Sequence, residues 1–329
     1  MSFHAIYTPQ PLFNAERCQA FLNEHGYSLV SAVGQDSSMR RYFRVHHNDR
    51  AAILMETVPD SSPHCMQGHK LSDFMEIGAW LRGVGLRAPQ IYAVDEGAGY
   101  MLLEDFGDTS FAVYLNEGGE PAQIYSAAVD VLEHLKSQDC PLQLPHYFES
   151  HVHAGHQKII EYYAPTKLKN MGDVLAGYHA AWAEIEAAAP LCEMGFVHVD
   201  FHAENLMWLA DDSAGSRIGV LDFQGAMNGP LAYDLANLLE DARIDIGDEL
   251  RGEILSRQSA ETRHWYRILA TQFHCRVIGQ FIKMANEDGK HGYLKYIPRL
   301  ERYLANALKD PILAPLAMFF KQINLDFTP

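Results

Sequence analysis

The sequence predicts an α+β fold with a small N-terminal lobe built on an antiparallel sheet and a larger, mostly helical C-terminal lobe. In the first hundred residues, three strand patterns at 27–33, 41–46 and 51–56 follow a short helical pattern and are separated by turn-forming residues. From about residue 107, apolar residues recur instead at three and four positions, over 122–137, 174–188 and 263–285. This change of pattern divides the chain into lobes of residues 1–105 and 106–329.

The first lobe has the pattern of a nucleotide-binding lid. Residues 13–24 have helical spacing, with Asn14 as the N-cap, and a second helix is predicted over 69–81. Between the first two strands, the loop 34–39 contains Gly34, Ser37 and Ser38, whose backbone N–H groups are suited to phosphate oxygens. A plain hairpin turn is the alternative, because the loop holds one glycine rather than a repeated glycine motif.

A catalytic motif is predicted in the second lobe, where HVDFHAEN at 198–205 is followed by the apolar run 218–221 and Asp222. Transfer of a phosphoryl group from ATP to a hydroxyl needs a carboxylate that accepts the proton and oxygen ligands for Mg²⁺. Asp200 fits the first role, and Asn205 and Asp222 fit the second. A hairpin that turns at 211–216 would bring residues 205 and 222 together.

These motifs resemble those of the aminoglycoside phosphotransferase and choline kinase family, which has a two-lobed, protein-kinase-like fold. The resemblance implies that Asp200 is the catalytic base, that Asn205 and Asp222 bind Mg²⁺, and that Glu104 and Phe106 lie at the adenine edge of ATP. Three further segments, RRYFRV at 40–45, LLEDFG at 102–107 and LDFQ to GPLAYDL at 221–235, are most similar to bacterial kinases of the anomeric hydroxyl of N-acetylmuramate and N-acetylglucosamine. The similarity extends through nearly the whole chain.

The third strand departs from the family pattern. Kinases of this architecture carry a lysine there that holds the α- and β-phosphates, whereas this chain has Met55 at about that position. Arg40, Arg41 and Arg44 on the neighbouring strand are candidates for the missing charge, and Arg41, which alternates with Phe43 and Val45, is the preferred one. The alternative is that these arginines are solvated edge-strand charges.

The function implied is ATP-dependent phosphorylation of the anomeric hydroxyl of a cell-wall amino sugar, N-acetylmuramate or N-acetylglucosamine. Gln272 and Arg276, four residues apart on a helix, are suited to sugar hydroxyls or a muramate carboxylate, although a polar surface face explains them equally well. Two other functions stay open: a kinase of an aminoglycoside, choline or another small alcohol, and a catalytically silent nucleotide-binding module. The silent module is suggested by Met55, which stands where a lysine is expected. The presence of Asp200 with both metal ligands argues against it.

Composition is that of a globular enzyme, with 329 residues, 48% hydrophobic and 21% charged. The net charge of −16 argues against nucleic acid and anionic membrane as partners. The start of the chain has no secretory pattern and the five cysteines form no Cys-x-x-Cys pair, so reduced thiols and a cytoplasmic location are expected. The histidines at 151, 153 and 156 are expected to be solvated in a loop, and Asp234 to cap a helix or brace the catalytic loop.

Overall fold

The computed structural model describes residues 3–8, 10, 12–33, 40–66, 68–169, 174–209 and 217–327. The chain forms two compact units: unit one comprises Met1–Gly119 with Glu204–Gly225, and unit two comprises Glu120–Ala203 with Ala226–Pro329. The division differs from a cut at one point of the chain, because the segment that follows the catalytic loop returns to unit one. The predicted functional boundary between residues 105 and 106 stays a prediction.

Unit one carries the antiparallel sheet that the sequence predicts. Its helices are α1 (Phe3–Ile6), α2 (Ala15–Glu24), α3 (Leu71–Gly83) and α4 (Phe111–Asn116), and its strands are β1 (Ser28–Val33), β2 (Arg41–His47), β3 (Arg50–Glu56), β4 (Ile91–Asp95), β5 (Tyr100–Glu104), β7 (Leu206–Trp208) and β8 (Ile218–Val220). The first five strands form one sheet in the order β1-β2-β3-β5-β4, with every neighbouring pair antiparallel.

The core of unit one lies on the face of the sheet that α2 covers. Phe43, Val45 and Leu54 on the strands are buried with Phe21 and Leu22 of α2. The helix begins as predicted, since the Asn14 side chain accepts a hydrogen bond from the backbone N–H of Arg17. The alternation of Arg41, Phe43 and Val45 on the buried face of β2 is also confirmed.

The predicted hairpin after the catalytic loop is present in unit one. β7 pairs antiparallel with β8, with Leu206 opposite Val220 and Trp208 opposite Ile218. The hairpin is joined to the rest of the unit, because the backbone N–H of Trp208 donates to Thr109 and that of Val220 donates to Arg87. The turn between the two strands lies outside the described residues.

Unit two is built mostly of helices. They are α5 (Pro121–Lys136), α6 (His151–Ala154), α7 (Ala164–Lys167), α8 (Leu175–Ala188), α9 (Ala232–Leu239), α10 (Asp248–Ser256), α11 (Ala260–Asp288), α12 (Ile297–Ala307) and α13 (Ala314–Gln322), together with the strands β6 (Met194–Val197) and β9 (Met227–Pro230). The two strands pair antiparallel and lie immediately before the catalytic loop and before α9. The α+β class is therefore confirmed.

The long helix α11 is central to unit two and packs against α9, α12 and the π-helical turn Ile159–Tyr163. It begins at the cap Ser259, whose hydroxyl accepts from the backbone N–H of Thr262, and ends at Gly289 in the left-handed conformation. Within the described ranges, no helix has both the length and the hydropathy needed to cross a lipid bilayer.

Candidate active site

The predicted catalytic loop, whose residues 198–203 lie in unit two, is held by Asp234 at the start of α9. One carboxylate oxygen of Asp234 accepts from the backbone N–H of His198 at 2.6 Å, and the other accepts from that of Val199 at 2.9 Å. The Asn237 amide, one turn later on the helix, donates to the carbonyl of Val199 at 2.6 Å. Two buried side chains of one helix therefore satisfy three backbone groups of the loop, as expected for a brace.

The backbone of the loop is strained at Val199, which has a φ of +79° although its side chain is β-branched. The hydrogen bonds from Asp234 and Asn237 offset the energetic cost of that conformation. Burial raises the pKa of Asp234 to about 7, and the charge of Asp200 acts in the same direction, whereas the two backbone N–H groups lower the pKa. The brace and the predicted base are thus electrostatically coupled.

Asp200 follows directly after this strained residue and is half-buried. Its own backbone N–H donates to Nδ1 of His198 at 3.3 Å, and its carbonyl accepts from the backbone N–H of His202 at 3.1 Å. In this arrangement Nδ1 of the buried His198 ring is unprotonated, so the ring acts as a hydrogen-bond acceptor for the loop.

Asn205 and Asp222 are brought together within unit one by the hairpin. The carbonyl of Asn205 accepts from the backbone N–H of Leu221 at 2.9 Å, which places it beside the residue that precedes Asp222. Asp222 has a φ of +59°, an uncommon conformation for a side chain other than glycine. One of its carboxylate oxygens accepts from the guanidinium of Arg40 at 3.2 Å.

The three arginines of the RRYFRV segment have different partners. Arg41 is buried in a bidentate pair with Glu56, and its guanidinium also lies 4.3 Å from the centre of the Tyr7 ring. Arg44 binds Asp105 and Asp108, which raise the pKa of Arg44. Among the site residues that the structure describes, Arg40 is the one of the three arginines that contacts a predicted metal ligand, Asp222. This geometry within unit one favours Arg40 over Arg41 as the replacement for the strand lysine.

Glu104 and Phe106, the residues predicted to lie at the adenine edge, are at the exit from β5. The Glu104 carboxylate binds Arg87 at 2.7 Å and the backbone N–H of Gln90 at 3.2 Å. The Phe106 ring packs on Gly219 of β8, where an added Cβ would lie 2.5 Å from the ring. Both side chains thus connect β5 to its neighbours, and their role toward adenine stays a prediction. The predicted phosphate-loop residues Gly34, Ser37 and Ser38 lie outside the described residues.

The two polar residues of α11 that the sequence singled out are both largely removed from solvent. The Arg276 guanidinium donates to the Tyr233 hydroxyl at 2.8 Å, and its positive charge interacts with Asp200. Gln272 is 2% exposed and donates to Glu186 at 2.7 Å, so the surface-face interpretation is wrong for this residue. Arg276 is therefore electrostatically coupled to the predicted base, whereas Gln272 is buried in a hydrogen bond with Glu186.

The histidines at 151, 153 and 156 lie in helical turns rather than in a loop, and of the three His151 is exposed as predicted. His151 and His153 lie on α6, and His156 is buried with Nδ1 at 3.1 Å from the Tyr178 hydroxyl. His153 contacts Glu186 at 3.2 Å. In the part of the chain that the structure describes, no three side chains of histidine, cysteine, aspartate or glutamate group into a metal site. The loop was predicted from Gly155. In the structure this glycine instead permits close packing against Arg276 of α11.

The family model described as "phosphotransferase enzyme family" matches residues 30–269. This chain belongs to that family. As a member it is a phosphotransferase, and its kinase chemistry implies a nucleotide as the phosphoryl donor.

Among curated relatives of this phosphotransferase, the N-acetylmuramate/N-acetylglucosamine kinase of Caulobacter vibrioides is 31% identical, over 92% of this chain and 94% of the relative. A protein of the same name from Neisseria meningitidis serogroup B is 28% identical over 91% of each chain. Among solved structures, the choline kinase LicA from Streptococcus pneumoniae has a TM-score of 0.60 at 14% identity and covers 91% of this chain and 98% of its own.

A second solved structure, the aminoglycoside phosphotransferase APH(4)-Ia, has a TM-score of 0.58 at 14% identity, over 92% of this chain and 99% of its own. At that identity these two likenesses show the protein-kinase-like fold and do not bear on the acceptor.

Proposed function

We propose that this phosphotransferase moves the γ-phosphoryl group of ATP to the anomeric hydroxyl of N-acetylmuramate or N-acetylglucosamine, which yields a sugar 1-phosphate. The observation that carries the proposal is the similarity, over nine-tenths of the chain, to relatives named for these two sugars. The acceptor-side residues are consistent with it, because the predicted base has a cation beside it that suits an acidic sugar.

In the proposed reaction, Asp200 accepts the proton of the attacking hydroxyl as its oxygen bonds to phosphorus and the bond to ADP breaks. The braced loop supports this role, because a base must stay within hydrogen-bond reach of a hydroxyl that is itself held in line with the phosphate. Asp234 and Asn237 hold the backbone of that loop but have no role toward the hydroxyl.

Asn205 and Asp222 would hold Mg²⁺. They fit this metal because both offer side-chain oxygen atoms and the Leu221 hydrogen bond keeps their backbones adjacent. Magnesium sites in kinases commonly use one or two carboxylate or amide oxygens, and the phosphates supply the others. When bound, Mg²⁺ supplies positive charge against the phosphate oxygens. Arg40, on the Asp222 carboxylate, is proposed to approach the same phosphates.

The remaining nucleotide contacts belong to the proposal as well. The backbone near Glu104 and Phe106 is assigned to adenine, and the loop with Gly34, Ser37 and Ser38 to the phosphates. The supply of ATP makes the cytoplasm the proposed location.

The test is Mg²⁺-dependent release of ADP from ATP with N-acetylmuramate, N-acetylglucosamine, choline and an aminoglycoside as separate acceptors. Asp200→Asn removes the base while it keeps the shape of the side chain, and Asp139→Asn makes the same change at an exposed position of unit two. We expect turnover on an amino sugar that falls by about 10² to 10⁴ in Asp200→Asn, the range for general bases. The Asp139→Asn control should match the wild type.

Other outcomes replace the proposal with a different function. Turnover only on choline or the aminoglycoside would keep the phosphotransferase and reject the sugar. Binding of ATP without turnover on any acceptor would favour the silent nucleotide-binding module. Equal turnover in Asp200→Asn and wild type would reject Asp200 as the base.

A further inference from the structure

Two cations of unit two lie near each other, and each is hydrogen-bonded to a neutral side chain. Arg276 of α11 donates to the neutral Tyr233 hydroxyl at 2.8 Å, and Lys158, just before the π-helical turn, donates to the amide oxygen of Gln280 at 2.7 Å. Among the described residues, no carboxylate forms an ion pair with either side chain. Both side chains are half-buried and hydrogen-bonded to neutral groups, so their charges are available to an anion from elsewhere.

Further basic groups lie near this pair, and one of them, Lys283, is itself paired with Glu287. Burial lowers the pKa of Lys158, and the charges of Arg276 and Lys283 lower it further. Burial also lowers the pKa of His151, followed by the charges of Arg276 and Lys158. Glu161 acts in the opposite direction on Lys158 but does not reverse the net shift. A ligand with a negative charge would relieve the repulsion among these groups.

Close packing fixes the two cations next to each other. A Cβ on Gly279 of α11 would lie 2.3 Å from the backbone carbonyl of Lys158, so only glycine permits this approach. On the other side, a Cβ on Gly155 would lie 3.0 Å from Cδ of Arg276. The centre of the Phe273 ring lies 5.7 Å from the Arg276 guanidinium, and this contact further restricts the orientation of the guanidinium. The site is therefore organised before a ligand binds, which lowers the entropic cost of binding.

The location of this pair relates it to the acceptor. Arg276 donates to Tyr233, the residue before Asp234, whose carboxylate binds the backbone N–H groups of His198 and Val199 directly before Asp200, the proposed base. A substituent that the acceptor extends toward this side of the loop would therefore meet Arg276. Together with the proposed function, on which the inference rests, we infer that Arg276 and Lys158 form a subsite for a carboxylate carried by the acceptor sugar. N-acetylmuramate has such a group in its lactyl ether, whereas N-acetylglucosamine has a hydroxyl at that carbon.

The subsite would set the preference between the two sugars. A guanidinium binds a carboxylate through parallel N–H···O bonds, and the ammonium of Lys158 adds a second charge. The competing explanation is that Arg276 only positions Asp200 through charge and through Tyr233. That role would affect both sugars equally, because both offer the same anomeric hydroxyl to the base.

The experiment measures kcat and KM for N-acetylmuramate, its methyl ester and N-acetylglucosamine with wild type, Arg276→Gln and Lys158→Gln. Arg263→Gln is the matched control, since Arg263 is exposed on the same helix about 20 Å from Arg276 at 1.5 Å per residue. We expect the wild type to prefer the acid over its ester by about tenfold in kcat/KM, the coupling of a charge-assisted hydrogen bond. The preference should fall to about twofold or less in Arg276→Gln, through KM for the acid. It should persist in Arg263→Gln.

Several outcomes would overturn the inference. These are an equal fall for all three acceptors in Arg276→Gln, a rise only in KM for ATP, or a wild-type ratio of acid to ester near one. The last measurement needs no variant, so it decides even if a substitution prevents folding. Turnover on amino sugars without an acid preference rejects the subsite alone, whereas no turnover on any amino sugar rejects the proposed function together with it.

Discussion

Arg40 is the residue that we propose as the replacement for the strand lysine. It is 3% exposed, and its guanidinium reaches both Asp222 and the carbonyl of Gly68. An arginine in this position has donors for a carboxylate and for a phosphate at once, because the guanidinium offers five N–H groups. The ion pair with Asp222 therefore does not exclude a contact with the nucleotide.

The first prediction concerns this residue. Arg40→Gln should raise KM for ATP by about 10- to 100-fold at saturating sugar, the loss of one charge-assisted hydrogen bond. KM for the sugar should change little, because Arg40 is assigned to the donor. Steady-state kinetics with ATP as the varied substrate measures it, and Arg17→Gln serves as the control because its pair with Asp95 is exposed. An unchanged KM for ATP in Arg40→Gln would show that the strand lysine has another replacement.

The choice between Arg40 and Arg41 shows what sequence reasoning could and could not decide. The alternation of β2 was readable, and it placed Arg41 on the face of Phe43 and Val45. The ion-pair partner of Arg41 could not be predicted, because the register that sets Arg41 opposite Glu56 depends on how β2 pairs with β3. Lys158 was missed for a similar reason, since it meets α11 only through tertiary packing and has no signal in its own neighbourhood.

At the scale of elements, α11 combines a stability role with a role near the proposed acceptor subsite. Its period and its caps made it predictable, and the observed helix is six residues longer than the predicted range 263–285. Gly279 in its interior weakens a helix by about 1 kcal/mol relative to alanine, so its presence needs a tertiary reason. The close approach of the Lys158 backbone is that reason.

The strands β6 and β9 were not predicted, because they are short and far apart along the chain. Each has four residues, and the partner lies about thirty positions away along the chain. So short a pattern cannot be distinguished from a loop by alternation, and the pairing is set by the packing around it. The β7–β8 hairpin was predicted because its two apolar runs flank a turn cluster that is visible in the sequence.

The second prediction tests the glycine. Gly279→Ala should reduce the free energy of unfolding by about 1 to 3 kcal/mol, because overpacking against the Lys158 backbone outweighs the gain in helix propensity. Gly252→Ala in α10 should instead stabilise by about 0.5 to 1 kcal/mol, because no atom lies within 4 Å of its added Cβ. Urea unfolding followed by circular dichroism measures both. Equal stabilisation by the two substitutions would contradict the close contact.

At the scale of the whole molecule, buried ionisable groups make stability depend on pH in opposing ways. His274 is fully buried between Glu240 and the Tyr303 ring, and burial lowers its pKa to about 4. Burial likewise lowers the pKa of His156 to about 3. Asp234 acts in the opposite direction, since its raised pKa makes the folded protein bind a proton more readily than the unfolded chain. The pH dependence of the unfolding free energy of the wild type is therefore the sum of these opposing contributions.

The contribution of His274 can be isolated by substitution. Below pH 6.5 the unfolded chain protonates His274 and the folded protein does not, so the contribution of this histidine to stability falls as pH falls. Between pH 6.5 and pH 5 the fall should be about 1.6 kcal/mol. This is less than the limiting value of about 1.4 kcal/mol per pH unit would give, because only half of the unfolded chains carry the proton at pH 6.5. His274→Gln removes this titration, so its deficit in unfolding free energy relative to wild type should shrink by that amount over the same interval.

Urea unfolding of wild type, His274→Gln and the exposed control His291→Gln at pH 6.5 and pH 5 measures the change. The control should run parallel to wild type, because His291 is exposed and its substitution leaves the surroundings of His274 unchanged. A deficit in His274→Gln that stays constant between the two pH values would mean that the imidazole is already protonated in the folded protein. The ion pair with Glu240, 3.3 Å away, would then be stronger than the burial that opposes it.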